Sequence, residues 1–269
     1  MNHQDVIELL KQGVMVVPTV PASKVEQLVK QLTPMQTEHA LVRLGAPYDG
    51  GYLLPDDLLG VSACFSPGVF TYAHFEEDLL QKYGINSHQA DFSVEGPPHG
   101  FQPLSFIKKF IGAHNDSVYM TMEKWVKDTW EYELTSDLIL QMDIEGAEYE
   151  SILATPDHIL KRFRTIVLEI HSLDRWGLQE FYNIAQAMIA KLKQHFIVVH
   201  VHPNNYGGLV SVNGVELPAV IEVTFHRKDR CKSVTANPLI PHPLDSTCGP
   251  GLPDFILPQV FTSSDHSSP

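Results

Sequence analysis

Cysteine is scarce in this chain of 269 residues: Cys64, Cys231 and Cys248 stand far apart, and no CxxC occurs. The spacing therefore suggests neither a cysteine zinc site nor a disulfide framework. Basic charge is scarce as well. Lys and Arg number 19 against 32 Asp and Glu, a net charge of -13, and the longest basic stretch, Arg227 to Arg230, is broken by Asp229. A nucleic-acid surface needs a basic stripe, so nucleic acid is not an expected partner, and an anionic membrane is disfavoured on the same ground. No apolar run approaches the roughly 20 residues of a membrane helix. Residues Met1 to Gln12 are polar and lack the layout of a signal peptide, which makes a soluble cytoplasmic protein the default expectation. Internal repeats and a GxGxxG motif are also missing. The second absence disfavours a dinucleotide-dependent oxidoreductase.

What is present is an apolar run with an abrupt end. Leu138-Ile139-Leu140-Gln141-Met142 stops at Asp143, and Ile144-Glu145-Gly146-Ala147-Glu148 follows at once. That pattern reads as a buried strand handing over to a helix, with Asp143 and Glu145 at the joint. In open α/β sheets, ligands bind at the carboxyl ends of the strands. Glu148 reads as an ordinary first-turn helix charge.

The rest of the chain alternates in the same way. Residues 1–40 form a helical extension in which Val6, Leu9 and Leu10, then Val25, Leu28, Val29 and Leu32, mark helix faces. Strands are expected at Val61 to Phe65, Ile85 to Asp91, Ser117 to Thr121, Asp137 to Met142, Ile166 to Ile170, Phe196 to Val201 and Val215 to Phe225. Helices are expected at His74 to Tyr83, Ser105 to Ile111 and Met122 to Trp130, with Trp125 and Trp130 as packing residues. The alternation predicts an α/β fold, a seven-stranded mostly parallel sheet with helices on both faces and an antiparallel last strand. The principal domain spans 41–235. A proline-rich tail, 236–269, wraps the surface and ends loosely at Ser263 to Pro269.

If the strands are parallel, their ends share one rim. The first strand contributes Ser66-Pro67-Gly68-Val69, a loop that brings backbone close to a cofactor. The second contributes Asp91, placed to accept both hydroxyls of a ribose. The fifth ends in Glu169-Ile170-His171 and the sixth in His200-Val201-His202-Pro203-Asn204-Asn205. Residues two apart share a face, so His171 and His202 are the outer members of two pairs, supported by Glu169 and His200. Asn204 and Asn205 suit acceptor hydroxyls, because an amide offers donor and acceptor together. Asp49-Gly50-Gly51 is a turn; it reads equally as a lid, with Arg43 and Tyr52 contributing.

Taken in order, these residues resemble the FkbM-like family of S-adenosylmethionine-dependent methyltransferases. The carriers are Asp143 to Glu148, Phe65 to Val69, Phe75-Glu76, Leu168 to His171, His202 to Tyr206, Pro218 to Thr224 with Glu222, and Arg43 with Asp49 to Tyr52. They cover about residues 41 to 245. Phe70 departs from the pattern, since many relatives carry a second glycine there. The resemblance implies a class I methyltransferase fold of the Rossmann-like kind, with S-adenosylmethionine as cofactor. It implies that Ser66, Pro67, Gly68, Glu76, Asp91, Asp143 and Glu145 hold that cofactor, and that Arg43, Tyr52, Asn204 and Asn205 hold the acceptor.

The implied reaction is methyl transfer to a hydroxyl of a glycan, sugar derivative or secondary metabolite. An alcohol is as weak an acid as water, with a pKa on the order of 15.7, so the site needs a base, a metal, or both. His171 or His202 suits the base, with Asp143 beside it. Asp143, Glu169, His171 and His202 are the residues for a divalent metal. A non-catalytic small-molecule-binding protein on the same fold stays open beside the enzyme, and turnover separates the two.

Overall fold

The computed structural model describes residues 3–69, 71–129, 136–236 and 239–262. Phe70, Trp130 and the Ser263 to Pro269 end lie outside the described residues. Seven strands form the central sheet: β1 (Val61–Pro67), β2 (Ser87–Ala90), β3 (Ser105–Ile107), β4 (Asp137–Met142), β5 (Phe163–Ile170), β6 (Phe196–Pro203) and β7 (Ile221–Arg227). Their spatial order is β6-β7-β5-β4-β1-β2-β3. The contacts among β3, β2, β1, β4 and β5 are parallel. The last strand, β7, runs antiparallel to both β5 and β6 and lies between them. The fold is a mixed α/β architecture with a mostly parallel sheet, compatible with a Rossmann-like fold. Its strand order reverses between β1 and β4, where such sheets open a crevice at the carboxyl ends.

Period-2 alternation divides the core. Leu138, Leu140 and Met142 of β4, with Ile166, Leu168 and Ile170 of β5, face one cluster; Ile139 and Val167 face the other. Strands buried on both sides read as continuous apolar runs for this reason. The larger cluster is covered by helices α2 (Ala22–Lys30), α4 (Met122–Thr129), α5 (Glu148–Ala154) and α7 (Gln179–His195), with α6 (Asp157–Leu160) beside them. The smaller is covered by α3 (His74–Tyr83) and the hairpin Leu41–Gly45/Gly51–Pro55. The i, i+3, i+4 spacing of Val25, Leu28 and Val29 puts α2 firmly into the main core, whereas α1 (His3–Lys11) buries none of its residues. Trp125 is fully buried.

Three sequence expectations need correction. Ser105 to Ile111 is not a helix. Ser105–Ile107 is β3, and Phe110–Gly112 pairs with Tyr119–Thr121 in a separate two-stranded sheet. Phe106, Ile107, Phe110 and Ile111 carry helical spacing, but the open edge of β2 offers backbone partners, and tertiary pairing overrides local pattern. The expected third central strand, Ser117 to Thr121, is thereby displaced from the sheet. Val215 to Phe225 is also not continuous. Val215–Pro218 folds back on Leu209–Val212 through Asn213-Gly214, both at positive φ (52 and 93) as a tight hairpin turn requires. Pro218 ends that strand, and Ile221 starts β7 afresh.

Candidate active site

The loops after β1 and β4 press together at one glycine. Gly68 has φ +83, and a Cβ there would stand 1.6 Å from the Asp143 carbonyl oxygen. Only glycine permits that approach. A cavity of ≈ 500 Å³ opens on one side, lined by Asp91, Ser93, Ile111, Tyr119, Ile144 and Glu145 among others. A smaller one of ≈ 150 Å³ opens on the other, lined by Tyr48, Asp49, Tyr52, Tyr72, His74 and Glu76 among others. Gly68, Val69 and Asp143 line both. In the larger cavity, Asp91 Oδ1 accepts from the Ser93 amide and hydroxyl, each at 2.7 Å, which fixes the carboxylate against an apolar wall. At the mouth of the smaller cavity the Tyr72 and His74 rings stack with centroids 5.2 Å apart, and Tyr48 meets His74 edge-on at 6.4 Å.

A buried polar net supports the joint from below. The Ser66 hydroxyl lies between the Glu76 carboxylate and Gln141 Oε1, 2.7 Å from the latter. The Gln141 amide nitrogen donates to the Tyr52 hydroxyl at 3.4 Å. Burial raises the Glu76 carboxyl above its ordinary range. Gln141 is polar within a strand that is otherwise apolar from Leu138 on, the one sequence signal that marks it.

Beside Asp143 stands His171, the densest charge contact of the rim. Its Nε2 lies 3.5 Å from Glu145, 3.8 Å from Asp143 and 3.9 Å from Glu169. Its Nδ1 lies 3.1 Å from Glu148 Oε1. Glu148 stands in the first turn of α5, as its position predicts, and does more than complement the helix end. It is fully buried and accepts from the amides of Ile144 and Gly146 at 3.0 and 3.2 Å. Glu145 and Gly146 take positive φ (57 and 102), which turns those amides inward. A carboxylate on Nδ1 leaves the lone pair of neutral imidazole on Nε2, facing Asp143. Tyr149 fixes the residue further by donating to the His171 carbonyl at 2.7 Å.

Charge at the rim is unbalanced. Asp143 is 31 % exposed, yet its Oδ1 is closed off from solvent. Burial pushes its carboxyl up to about 7, with His171 pulling the other way and Glu145 and Glu148 adding to the rise. Glu169 is pushed well above the carboxylate range by burial and by Asp143 and Glu222. For His171, burial opposes the charge, but the Glu148 bond and the surrounding carboxylates outweigh it and raise the imidazole. Asp143, Glu169 and His171 each offer an atom within 4.8 Å of the others, and so do Asp49, Glu169 and Glu222. No lysine or arginine among the described residues pairs with Asp143, Glu169 or Glu222.

His202 belongs to a different neighbourhood from His171. Its Nδ1 lies 3.2 Å from Glu222 Oε2, and Glu222 raises the imidazole against the opposing effect of burial. His200, parallel to His202 at 6.4 Å, is bonded to Asp245 at 2.8 Å. The proline-rich tail thus packs into the rim as well as running over the surface. Cys248 is 2 % exposed, and its thiol donates to Glu222 at 3.2 Å. Nothing periodic in the sequence announces Asp245 or Cys248 as rim residues.

The remaining candidates have structural partners. Asn204 donates to Glu169 Oε1 at 2.7 Å, and Asn205 clasps the tail through Gly249. Neither lines the two cavities at the β1/β4 joint. Arg43 donates to the carbonyls of Ala46 and Tyr48, which shapes the loop carrying Asp49. Tyr52, Glu76 and Asp143 come together in the smaller cavity; Gly68, Asp91, Asp143 and Glu145 come together in the larger. No helix among the described residues is long and apolar enough to cross a membrane. Comparisons with family models, curated proteins and solved structures return no match.

Proposed function

We propose that this protein is an S-adenosylmethionine-dependent O-methyltransferase with a class I fold, similar to the FkbM-like family. The observation that carries the reading is the pair of cavities meeting at Gly68 and Asp143 on the carboxyl rim of the sheet. The larger suits a nucleoside, with Asp91 for the ribose hydroxyls and Ile111, Tyr119 and Ile144 for a flat ring. The strand order, with an antiparallel β7 between β5 and β6, supports the class I assignment. When bound, S-adenosylmethionine would supply an electrophilic methyl to an in-line acceptor oxygen, the C–S bond breaking as the C–O bond forms and S-adenosylhomocysteine leaving.

The chain's own residues then have separate tasks. Asp91 and Glu145 hold the cofactor's polar groups. Ser66, Glu76 and Gln141 keep the loop at Pro67 and Gly68 in place. Asp143 stands where the cavities meet, and with His171 behind it takes the acceptor proton. Glu148 is a positioning residue for His171. The aromatic mouth formed by Tyr48, Tyr72 and His74 suits the faces of a sugar ring or a comparable polyol. Asp143, Glu169 and His171 also fit a divalent cation, because Asp143 Oδ1 and Glu169 Oε2 are buried without a hydrogen-bond partner. Such a cation would lower the acceptor's pKa.

Calorimetric titration with S-adenosylmethionine and S-adenosylhomocysteine tests the reading. Micromolar binding of both is expected. Failure of a folded sample to bind either rejects it. Binding without turnover across a polyol acceptor panel indicates a non-catalytic binding protein instead.

A further inference from the structure

One cluster at the rim has no task in methyl transfer. Cys248 comes from the tail, His202 from β6 and Glu222 from β7, and all are buried. Cys248 Sγ lies 3.2 Å from Glu222 Oε1 and 3.8 Å from His202 Nδ1, which is itself 3.2 Å from Glu222 Oε2. Ligands about 2.0–2.3 Å from a tetrahedral zinc stand roughly 3.3–3.6 Å from one another. The observed separations straddle that range.

Beyond the three ligands, the same side of the sheet is crowded with carboxylate. Glu169 is paired across the sheet with Glu222 and is 5 % exposed, yet its Oε2 has no hydrogen-bond partner. Asp49, Glu169 and Glu222 offer oxygens within 4.8 Å of one another. Carboxylates crowded in this way repel unless a proton or a cation lies among them. At the opposite end of the sheet, His39, Asp57 and His226 are grouped as closely. There Arg164 and Arg230 already neutralise Asp57, which leaves no deficit for a metal to fill.

We infer that Cys248, His202 and Glu222 bind a zinc ion, with the tail supplying the sulfur ligand. Thiolate and imidazole select zinc over magnesium or calcium, which prefer oxygen. The Cys248 proton is released on binding, and thiolate plus carboxylate balance the two positive charges. A cavity of ≈ 400 Å³ beneath the tail, lined by His202, Thr247 and Leu257 among others, borders the cluster at His202. The ion would fasten the tail to the sheet whichever cofactor the larger cavity takes.

The test uses the full chain incubated with zinc, freed of excess metal and analysed for bound elements. Stoichiometric zinc is expected. Exchange for cobalt(II) should give thiolate-to-cobalt charge-transfer absorption in the near ultraviolet. Cys248→Ser should abolish that absorption, while Cys231→Ser, whose thiol sits beside Arg227 at the far end of β7, should leave it intact. Asp143→Asn should also leave it intact, which distinguishes this ion from one held by Asp143, Glu169 and His171. If Cys248→Ser does not fold, X-ray absorption of the wild-type zinc protein decides. A sulfur neighbour at about 2.3 Å is expected. A shell of nitrogen and oxygen alone, failure to retain zinc, or a cobalt spectrum indifferent to Cys248→Ser overturns the inference.

Discussion

The two ends of the central sheet treat buried acid in opposite ways. At the amino ends of β4 and β5, Asp137 meets Arg164 at 2.8 Å and Arg227 at 2.6 Å, and Asp57 meets Arg230 at 2.7 Å. Burial there works against the charge, but the guanidinium bonds win, and both carboxyls lie below their ordinary range. At the carboxyl ends of the same strands, His171 is the only cationic group within ion-pair distance of Asp143 and Glu169 among the described residues, and both carboxyls are raised. The chain therefore has guanidinium groups to pair buried acid and, among the described residues, gives them to Asp57 and Asp137 but not to Asp143 or Glu169. Unpaired buried charge costs stability, and groups with perturbed pKa values cluster where chemistry is done. The contrast makes the paired end a source of stability and accords with the ligand site proposed at the other.

Breaking the paired end should give the largest effect. Arg164 is 4 % exposed and also donates to the carbonyls of Asp57 and Leu59, both at 2.8 Å. Arg164→Met strands Asp57 and Asp137 with fewer cations and should cost about 3–5 kcal/mol in denaturant unfolding. A loss below about 1 kcal/mol would show that the pairing is incidental.

Acid should probe the same end next. His226 is fully buried, bonded to Thr165 at 3.0 Å, and faces Asp57, His39, Arg164 and Arg230. Burial depresses its pKa from 6.5 to about 4, with Asp57 opposing and the cations assisting. A histidine depressed in the folded state contributes stability in full above its unfolded pKa. That contribution is lost as the pH falls from about 6.5 towards about 4. His226→Gln should flatten that part of the profile of unfolding free energy against pH by up to about 3 kcal/mol relative to wild type. Superimposable profiles would refute it.

Turning to the rim, Asp91→Ala should cost about 1 kcal/mol of stability through the lost Ser93 bonds and weaken S-adenosylhomocysteine binding by roughly 10- to 100-fold, the worth of hydrogen bonds to a charged group. Equal affinities of the two proteins would remove Asp91 from the ribose site and weaken the nucleoside reading of the larger cavity.

Much of this contrast was legible in the sequence, for physical reasons. Asp91 and Asp143 end runs whose period and composition mark strands, so their shared rim followed once the strands were parallel. His171 and Glu169 fell on one face because side chains alternate. What the sequence hid depends on long-range closure. Cys248 meets His202 across 46 positions of chain with no periodicity between them. Glu148 looked like a helix-end charge because nothing local reveals that Glu145 takes positive φ and folds the following amides back. Ser105 to Ile111 looked helical because an unpaired strand edge elsewhere in the fold decides its conformation. Asn204 and Asn205 have acceptor-binding chemistry, but Glu169 and the tail occupy it first.

The smallest effect carries the comparison furthest, because its sign is opposite to that of Arg164→Met. Glu169 accepts from Asn204 at one oxygen and nothing at the other. In chelator-treated protein, at a pH high enough to ionise the raised Glu169 carboxyl, Glu169→Gln keeps the shape, removes a charge that burial and its neighbours oppose, and adds an amide donor facing Asp143 and Glu222. The variant should be more stable than wild type by about 1 kcal/mol in denaturant unfolding. Functional sites hold such unrelieved charge at the expense of stability, so the gain should accompany a loss of divalent-ion binding. If Glu169→Gln destabilises the metal-free protein instead, the carboxylate is already compensated within the fold, and the two ends of the sheet differ less than their charges imply.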